Sequence, residues 1–67
     1  MLSVDLLFNY YMENIRDSLK EANDLITESI KELEEIAPTE IETIETLKEK
    51  RIEIWWIIQE IDKATSN

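Results

Sequence analysis

An unbroken alternation of four-residue and three-residue steps runs through the first half of this chain. Residues at this spacing lie on one side of an α-helix, whereas a half-buried strand would show apolar residues at every second position. The pattern therefore predicts one long amphipathic helix with a continuous seam of mostly apolar residues. The seam consists of Phe8, Met12, Ile15, Leu19, Ala22, Ile26, Ser29, Leu33 and Ile36.

The pattern is interrupted once, at Pro38. Proline disfavours a helical conformation at the preceding Ala37, and Thr39 with Glu42 has the spacing of a capping box, which starts a new helix. A connection this short makes the two helices antiparallel neighbours. We predict a single helical-hairpin domain over residues 1–67, with helix 1 at about 3–36, capped by Ser3, a turn at 37–39, helix 2 at about 40–64 and a frayed tail at 65–67.

The second helix carries more apolar surface than one neighbour can cover. At 100° per residue its isoleucine, leucine and tryptophan side chains sweep through roughly 220° of the helix circumference. Helix 1 is also longer than helix 2, so that folding back at Pro38 leaves the apolar stretch Ser3 to Tyr11 overhanging. A single core in so short a chain rarely supplies more than ~3–5 kcal/mol, and without cysteines the remaining source of stability is association. We therefore expect an all-α hairpin that forms a homodimeric, antiparallel four-helix bundle with coiled-coil-like packing, or a tetramer or higher assembly if the overhangs interlock.

The same pattern predicts which residues contact a neighbouring helix or a partner protein. Trp55 and Tyr11 are predicted to point inward and their neighbours Trp56 and Tyr10 outward, because adjacent helical residues lie 100° apart. Arg51 lies inside the apolar arc, where its stem can pack on the core while its guanidinium stays in water. The alternative is that Arg51 fixes the register by pairing with Glu21 or Glu28 of an adjacent helix. The residues predicted to mediate self-association are Phe8, Met12, Ile15, Leu19, Ala22, Ile26, Leu33, Ile44, Leu47, Ile54, Trp55, Ile58 and Ile61. The residues predicted to form a surface for a protein partner are Leu6, Tyr10, Ile52, Trp56, Glu49, Glu53 and Glu60.

Composition narrows the classes of function. The chain has no cysteine and no histidine, which excludes zinc sites built from these residues and catalytic arrangements that need a histidine base. Sixteen acidic residues against seven basic ones give a net charge of −9, which repels nucleic acids and anionic membranes. The apolar first dozen residues are interrupted by Asp5 and Asn9 and are shorter than the ~20 residues of a membrane span. We expect a soluble cytoplasmic protein that binds neither nucleic acid nor membrane directly.

Carboxylates are the one catalytic group present in quantity. Glu21 with Asp24, and Glu32 with Glu35, have the i, i+3 spacing found where helical bundles hold magnesium. A metal site needs these carboxylates to converge inside a bundle, but the helical wheel places all four on the polar side of helix 1. We therefore predict no metal, no cofactor and no enzyme activity, with a magnesium-dependent hydrolase as a remote alternative.

The expected function is that of a non-enzymatic, self-associating helical hairpin that works through protein-protein interaction, as a small adaptor, regulator or assembly factor. The alternative is an acidic inhibitor from a virus or mobile element. The charge of −9 would suit such a protein to occupy a basic groove with which its target binds DNA or RNA.

Overall fold

The computed structural model describes residues 4–65 of the chain. These residues form two α-helices, α1 (Val4–Ile36) and α2 (Ile41–Thr65), which pack against each other. The prediction of an all-helical hairpin is confirmed. Ser3, the predicted N-cap, and residues 66–67 of the predicted tail lie outside the described residues, while Thr65 is the last residue of α2.

Backbone hydrogen bonds close the turn between the helices. The Ala37 amide donates to the Leu33 carbonyl at 2.8 Å, and the Glu40 amide donates to the Ala37 carbonyl at 3.0 Å. Pro38 therefore occupies the second position of a four-residue turn, where its fixed φ is favourable. The capping box predicted for Thr39 and Glu42 does not form among these described residues, because α2 begins at Ile41, too late for Thr39 to be its N-cap.

The two helices form a thin rod with Cα extents of 56 × 15 × 13 Å. Its core is small. Ile30 of α1 is 2% exposed, and the buried side chains of α2, spread along the same helix contact, are Ile44, Ile58 and Ile61. Half-buried leucine, isoleucine and methionine side chains line the rest of the contact on the α1 side, namely Met12, Leu19, Ile26 and Leu33.

Three polar contacts fix the register of the hairpin. Arg16 reaches Asp62, Thr27 lies opposite Arg51, and Glu34 pairs with Lys48. Asp62 lies opposite Arg16, and Thr65 is only three residues further along α2. The described end of α2 therefore lies beside α1 a few residues N-terminal to Arg16. The two N-terminal turns of α1, residues 4–11, therefore extend past the described end of α2, as the predicted overhang requires.

The side of α1 that meets α2 is rotated from the predicted centre of the seam. The alternate seam positions Phe8, Ile15, Ala22, Ser29 and Ile36 are exposed, and Ile36 is 80% exposed. On the other edge of α1, Arg16, Asn23 and Ile30 follow one another at seven-residue intervals and turn towards α2. The polar residues of α1 that contact α2, which are Arg16, Thr27 and Glu34, lie on this same edge.

Candidate interaction surfaces

The longest exposed apolar surface follows α1 from end to end. It lies on the edge of α1 turned away from Asn23 and Thr27, and its large side chains are 45–83% exposed. Most of its members recur at steps of three and four residues and lie along one side of α1, with Glu32 in the gap between Ser29 and Ile36. We call this stripe the α1 band; its large members are Val4, Leu7, Phe8, Tyr11, Ile15, Leu25 and Ile36, and its small members are Ser18, Ala22 and Ser29.

A second exposed apolar surface lies on α2, on the other face of the hairpin. Trp55 lines a surface depression together with Asn23 and Lys20 of α1. Trp55 therefore lies on the same side of the contact between α1 and α2 as these two residues. We call this surface the tryptophan edge; it consists of Ile41, Ile52, Trp55 and Trp56. Ile57, which is also exposed, lies about 160° from Trp55 around α2 and so belongs to the face that carries the α1 band.

Both aromatic doublets are stacked edge to face. The ring centroids of Trp55 and Trp56 are 5.0 Å apart at an interplanar angle of 78°, and those of Tyr10 and Tyr11 are 5.7 Å apart at 72°. Trp55 is 48% exposed and Trp56 is 59% exposed. Trp55 and Tyr11 are predicted to point inward, but within the hairpin neither of them points into the core. The contact between α1 and α2 covers a narrower arc of each helix than the helical wheel assumes.

An ion pair joins α1 to the C-terminal part of α2. Arg16 Nη1 donates to Asp62 Oδ1 at 3.0 Å, and Arg16 Nε donates to Asp17 Oδ1 at 3.4 Å. The hydrogen bond with Asp62 raises the pKa of Arg16 above its ordinary value, and Asp17 adds to the effect while partial desolvation opposes it. Arg16 therefore stays charged at every pH at which the chain folds, and it ties α1 to α2 at this point.

Arg51 has a different partner from the one predicted. Its Nη1 donates to the Thr27 hydroxyl at 3.4 Å, and that hydroxyl donates in turn to the Asn23 carbonyl at 3.0 Å. With Ile52 and Trp55 these residues line an open depression of about 350 Å³. The Asn23 side-chain oxygen is buried beside it without a hydrogen-bond partner among the described residues. Arg51 thus contributes to the register within one hairpin, through a hydroxyl rather than through Glu21 or Glu28.

The residues predicted to mediate self-association divide into two groups. Those of α2, except Trp55, are buried or half-buried inside the hairpin: Ile44, Leu47, Ile54, Ile58 and Ile61. On α1, Met12, Leu19, Ile26 and Leu33 are half-buried, while Phe8, Ile15 and Ala22 lie exposed in the α1 band. The sequence pattern missed Leu25 and Ile57, which a search for a second stripe beside the seam would have found.

The residues predicted to contact a protein partner are all exposed. The structure brings them together in two places rather than one. Leu6 and Tyr10 lie one turn apart on the overhang of α1, while Ile52 and Trp56 lie one turn apart on the tryptophan edge. The acidic members lie on the outer side of α2, where Glu53 forms an ion pair with Lys50, at 3.3 Å between Oε2 and Nζ. Contact of these residues with a partner protein stays a prediction.

The carboxylates considered for magnesium do not converge. Glu21, Asp24, Glu32 and Glu35 are all exposed on α1. Among residues 4–65, no three acidic side chains come close enough together to hold a metal ion.

Neither helix has, within its described residues, a stretch long and apolar enough to cross a bilayer. Comparison with known protein families, with curated proteins and with solved structures found no match to this chain. The functional interpretation therefore rests on the surfaces of the hairpin itself.

Proposed function

We propose that this chain is a non-enzymatic protein that works by association, and that its first contact is with a second copy of itself through the α1 band. The observation that carries the proposal is the continuity of the band. Its exposed apolar residues run from Val4 to Ile36, over a helix that is about 50 Å long at 1.5 Å per residue. Scattered exposed apolar residues need no explanation on a soluble protein, but a contiguous stripe of this length is typical of an interface.

The size of the surface fits a stable dimer. The large members of the α1 band together with Ile57 are 45–83% exposed and present on the order of 900 Å² per copy, so that burial of most of this surface would approach the ~800 Å² that each partner contributes to a standard interface. The internal core has only four buried side chains in the described part of the chain. Burial of the α1 band would therefore add to a small internal core.

Sedimentation equilibrium tests this proposal. We expect a dimer at micromolar concentration, together with a melting temperature that rises with protein concentration because the second copy binds only the folded hairpin. Two copies that each carry a charge of −9 repel one another, so added salt should strengthen the dimer by screening. A monomer at micromolar concentration, with a melting temperature independent of concentration, would contradict the proposal.

A second function is favoured by the charge distribution. The outer side of α2 carries an exposed row of glutamates, which are Glu42, Glu45, Glu49, Glu53 and Glu60. Such a row could occupy the basic groove of a nucleic-acid-binding protein as an acidic inhibitor. Binding of this kind weakens as ionic strength rises, whereas the proposed self-association strengthens, so the direction of the salt dependence separates the two.

A further inference from the structure

We infer that the two copies pair with their α1 helices antiparallel, about a two-fold axis that crosses the rod at the level of Lys20, on the side of α1 that carries the band. The inference rests on the proposed self-association and gives it a defined geometry. Lys20 is the midpoint of Val4–Ile36, so that this axis brings the whole of one α1 band against the whole of the other.

The sizes of the side chains match across this axis. It sets Tyr11 opposite Ser29 of the second copy, so that the largest side chain of the band meets one of the smallest. Ser18 meets Ala22 beside the axis itself, and small residues at that point let the two helices approach closely. The one pairing of an apolar with an acidic residue is Phe8 opposite Glu32.

The ends of the band match as well. Ile15 lies opposite Leu25, and Val4 lies opposite Ile36, the two most exposed members of the band at 83% and 80%. The overhang of each α1 helix, which extends past the described end of its own α2, is then covered by the C-terminal half of α1 in the second copy. In a dimer with parallel α1 helices the two overhangs would instead project at the same end and meet only each other.

The face of α2 that would meet the second copy is apolar near the axis and polar away from it. Since Thr27 faces Arg51 and Arg16 faces Asp62, the axis crosses α2 close to Ile58. The exposed Ile57 then lies within about one helical turn of Ile57 in the second copy. Nearer the turn between the helices, where the two α2 helices no longer overlap, this face of α2 is polar and carries Thr43, Thr46 and Lys50.

Distances between spin labels test the geometry. Glu13, Asp24 and Glu35 follow one another at eleven-residue steps on the polar side of α1, away from the band, and all three are exposed. Because the chain has no cysteine, a single substitution at each position gives one label per copy. Between identical positions, the antiparallel axis predicts separations along the rod of about 21 Å for Glu13→Cys, about 12 Å for Asp24→Cys and about 45 Å for Glu35→Cys, at 1.5 Å rise per residue.

The pattern of the three distances is the readout. In the antiparallel dimer the Glu35→Cys distance is the longest of the three and the Asp24→Cys distance is the shortest, with Glu13→Cys between them. Three similar distances in a dimer that sedimentation confirms would overturn the antiparallel geometry and leave the proposed self-association standing. Labelled and unlabelled chains that are both monomeric would overturn the proposed function, and the geometry with it.

Discussion

Substitution of Ala22 by glutamate separates the stability of the hairpin from that of the dimer. Ala22 is exposed in the hairpin, and glutamate is nearly as good a helix former as alanine, so the cost to the single chain is a few tenths of a kcal/mol. In the proposed dimer Ala22 lies two residues from the axis, which puts the two new carboxylates about 6 Å apart along the rod. With the helices packed side by side the two charges are about 8–10 Å apart, and at an effective dielectric constant of ~20 their repulsion is about 2 kcal/mol, which is roughly thirtyfold in the dissociation constant.

The assay is sedimentation equilibrium of Ala22→Glu beside Thr39→Glu, with circular dichroism to follow helix content. Thr39→Glu adds the same charge in the exposed turn, outside the α1 band, and should dimerise like the parent. We expect Ala22→Glu to be monomeric at concentrations where the control is dimeric, and to melt at a temperature that no longer depends on concentration. If Ala22→Glu associates as tightly as the control, then Ala22 lies outside the contact and the α1 band is the wrong surface.

Three further outcomes follow from the described contacts. Ile58 is 4% exposed, and Ile58→Ala should lower the free energy of unfolding by about 2–5 kcal/mol and unfold most of the chain. Circular dichroism measures the loss of helix, with the exposed Ile41→Ala as the control. Equal helix loss in both variants would contradict the packing. Asn23 buries an unpartnered oxygen, so Asn23→Leu should raise the free energy of unfolding by about 1 kcal/mol in urea titrations; a lower midpoint would mean that this oxygen is hydrogen-bonded. Trp55 and Trp56 lie on the face opposite the proposed dimer contact, so acrylamide should quench their fluorescence equally well in dimer and monomer; protection in the dimer would place the contact on the tryptophan edge instead.

The helices and their turn could be predicted from the sequence because their signals are local. The step pattern along α1 and the single proline at Pro38 are sufficient to predict two helices with a break between them, and the structure has that break at residues 37–40. Details of the turn depend on where α2 begins, and a start at Ile41 leaves Thr39 without the capping role that its spacing suggested.

The side of α1 that meets α2 could not be predicted in the same way, since α1 carries two adjacent stripes. Met12 and Ile26 belong to the seam in either orientation, but Ile15 and Ile30 lie on opposite edges of it, and the wheel centred on Ile15 favours the wrong edge. The choice depends on long-range polar contacts such as Arg16 with Asp62. Such a contact joins residues 46 positions apart and has no periodic signature in either helix.

The exposed tryptophans illustrate the same limit for the candidate sites. A wheel shows that Trp55 and Trp56 cannot both face one neighbour, but the arc that the neighbour covers depends on how closely the helices approach and on which side chains lie between them. Arg51 and Asn23 lie between α1 and α2 beside Trp55, and their depression keeps that part of the contact open. The tryptophan is therefore left at the margin, although its position in the apolar arc predicted the core.

The contact between α1 and α2 is better suited to setting geometry than to supplying stability. Arg16 and Thr27 of α1 contact Asp62 and Arg51 of α2, whereas buried apolar side chains are few among the described residues. Polar contacts at a helix interface fix the register at a cost in stability. The α1 band lies outside that contact, and the described residues bury few apolar side chains with which to offset the entropy of folding. The hairpin therefore sets the shape that α1 presents, and burial of the α1 band in a second copy would supply the stability that the hairpin contact lacks.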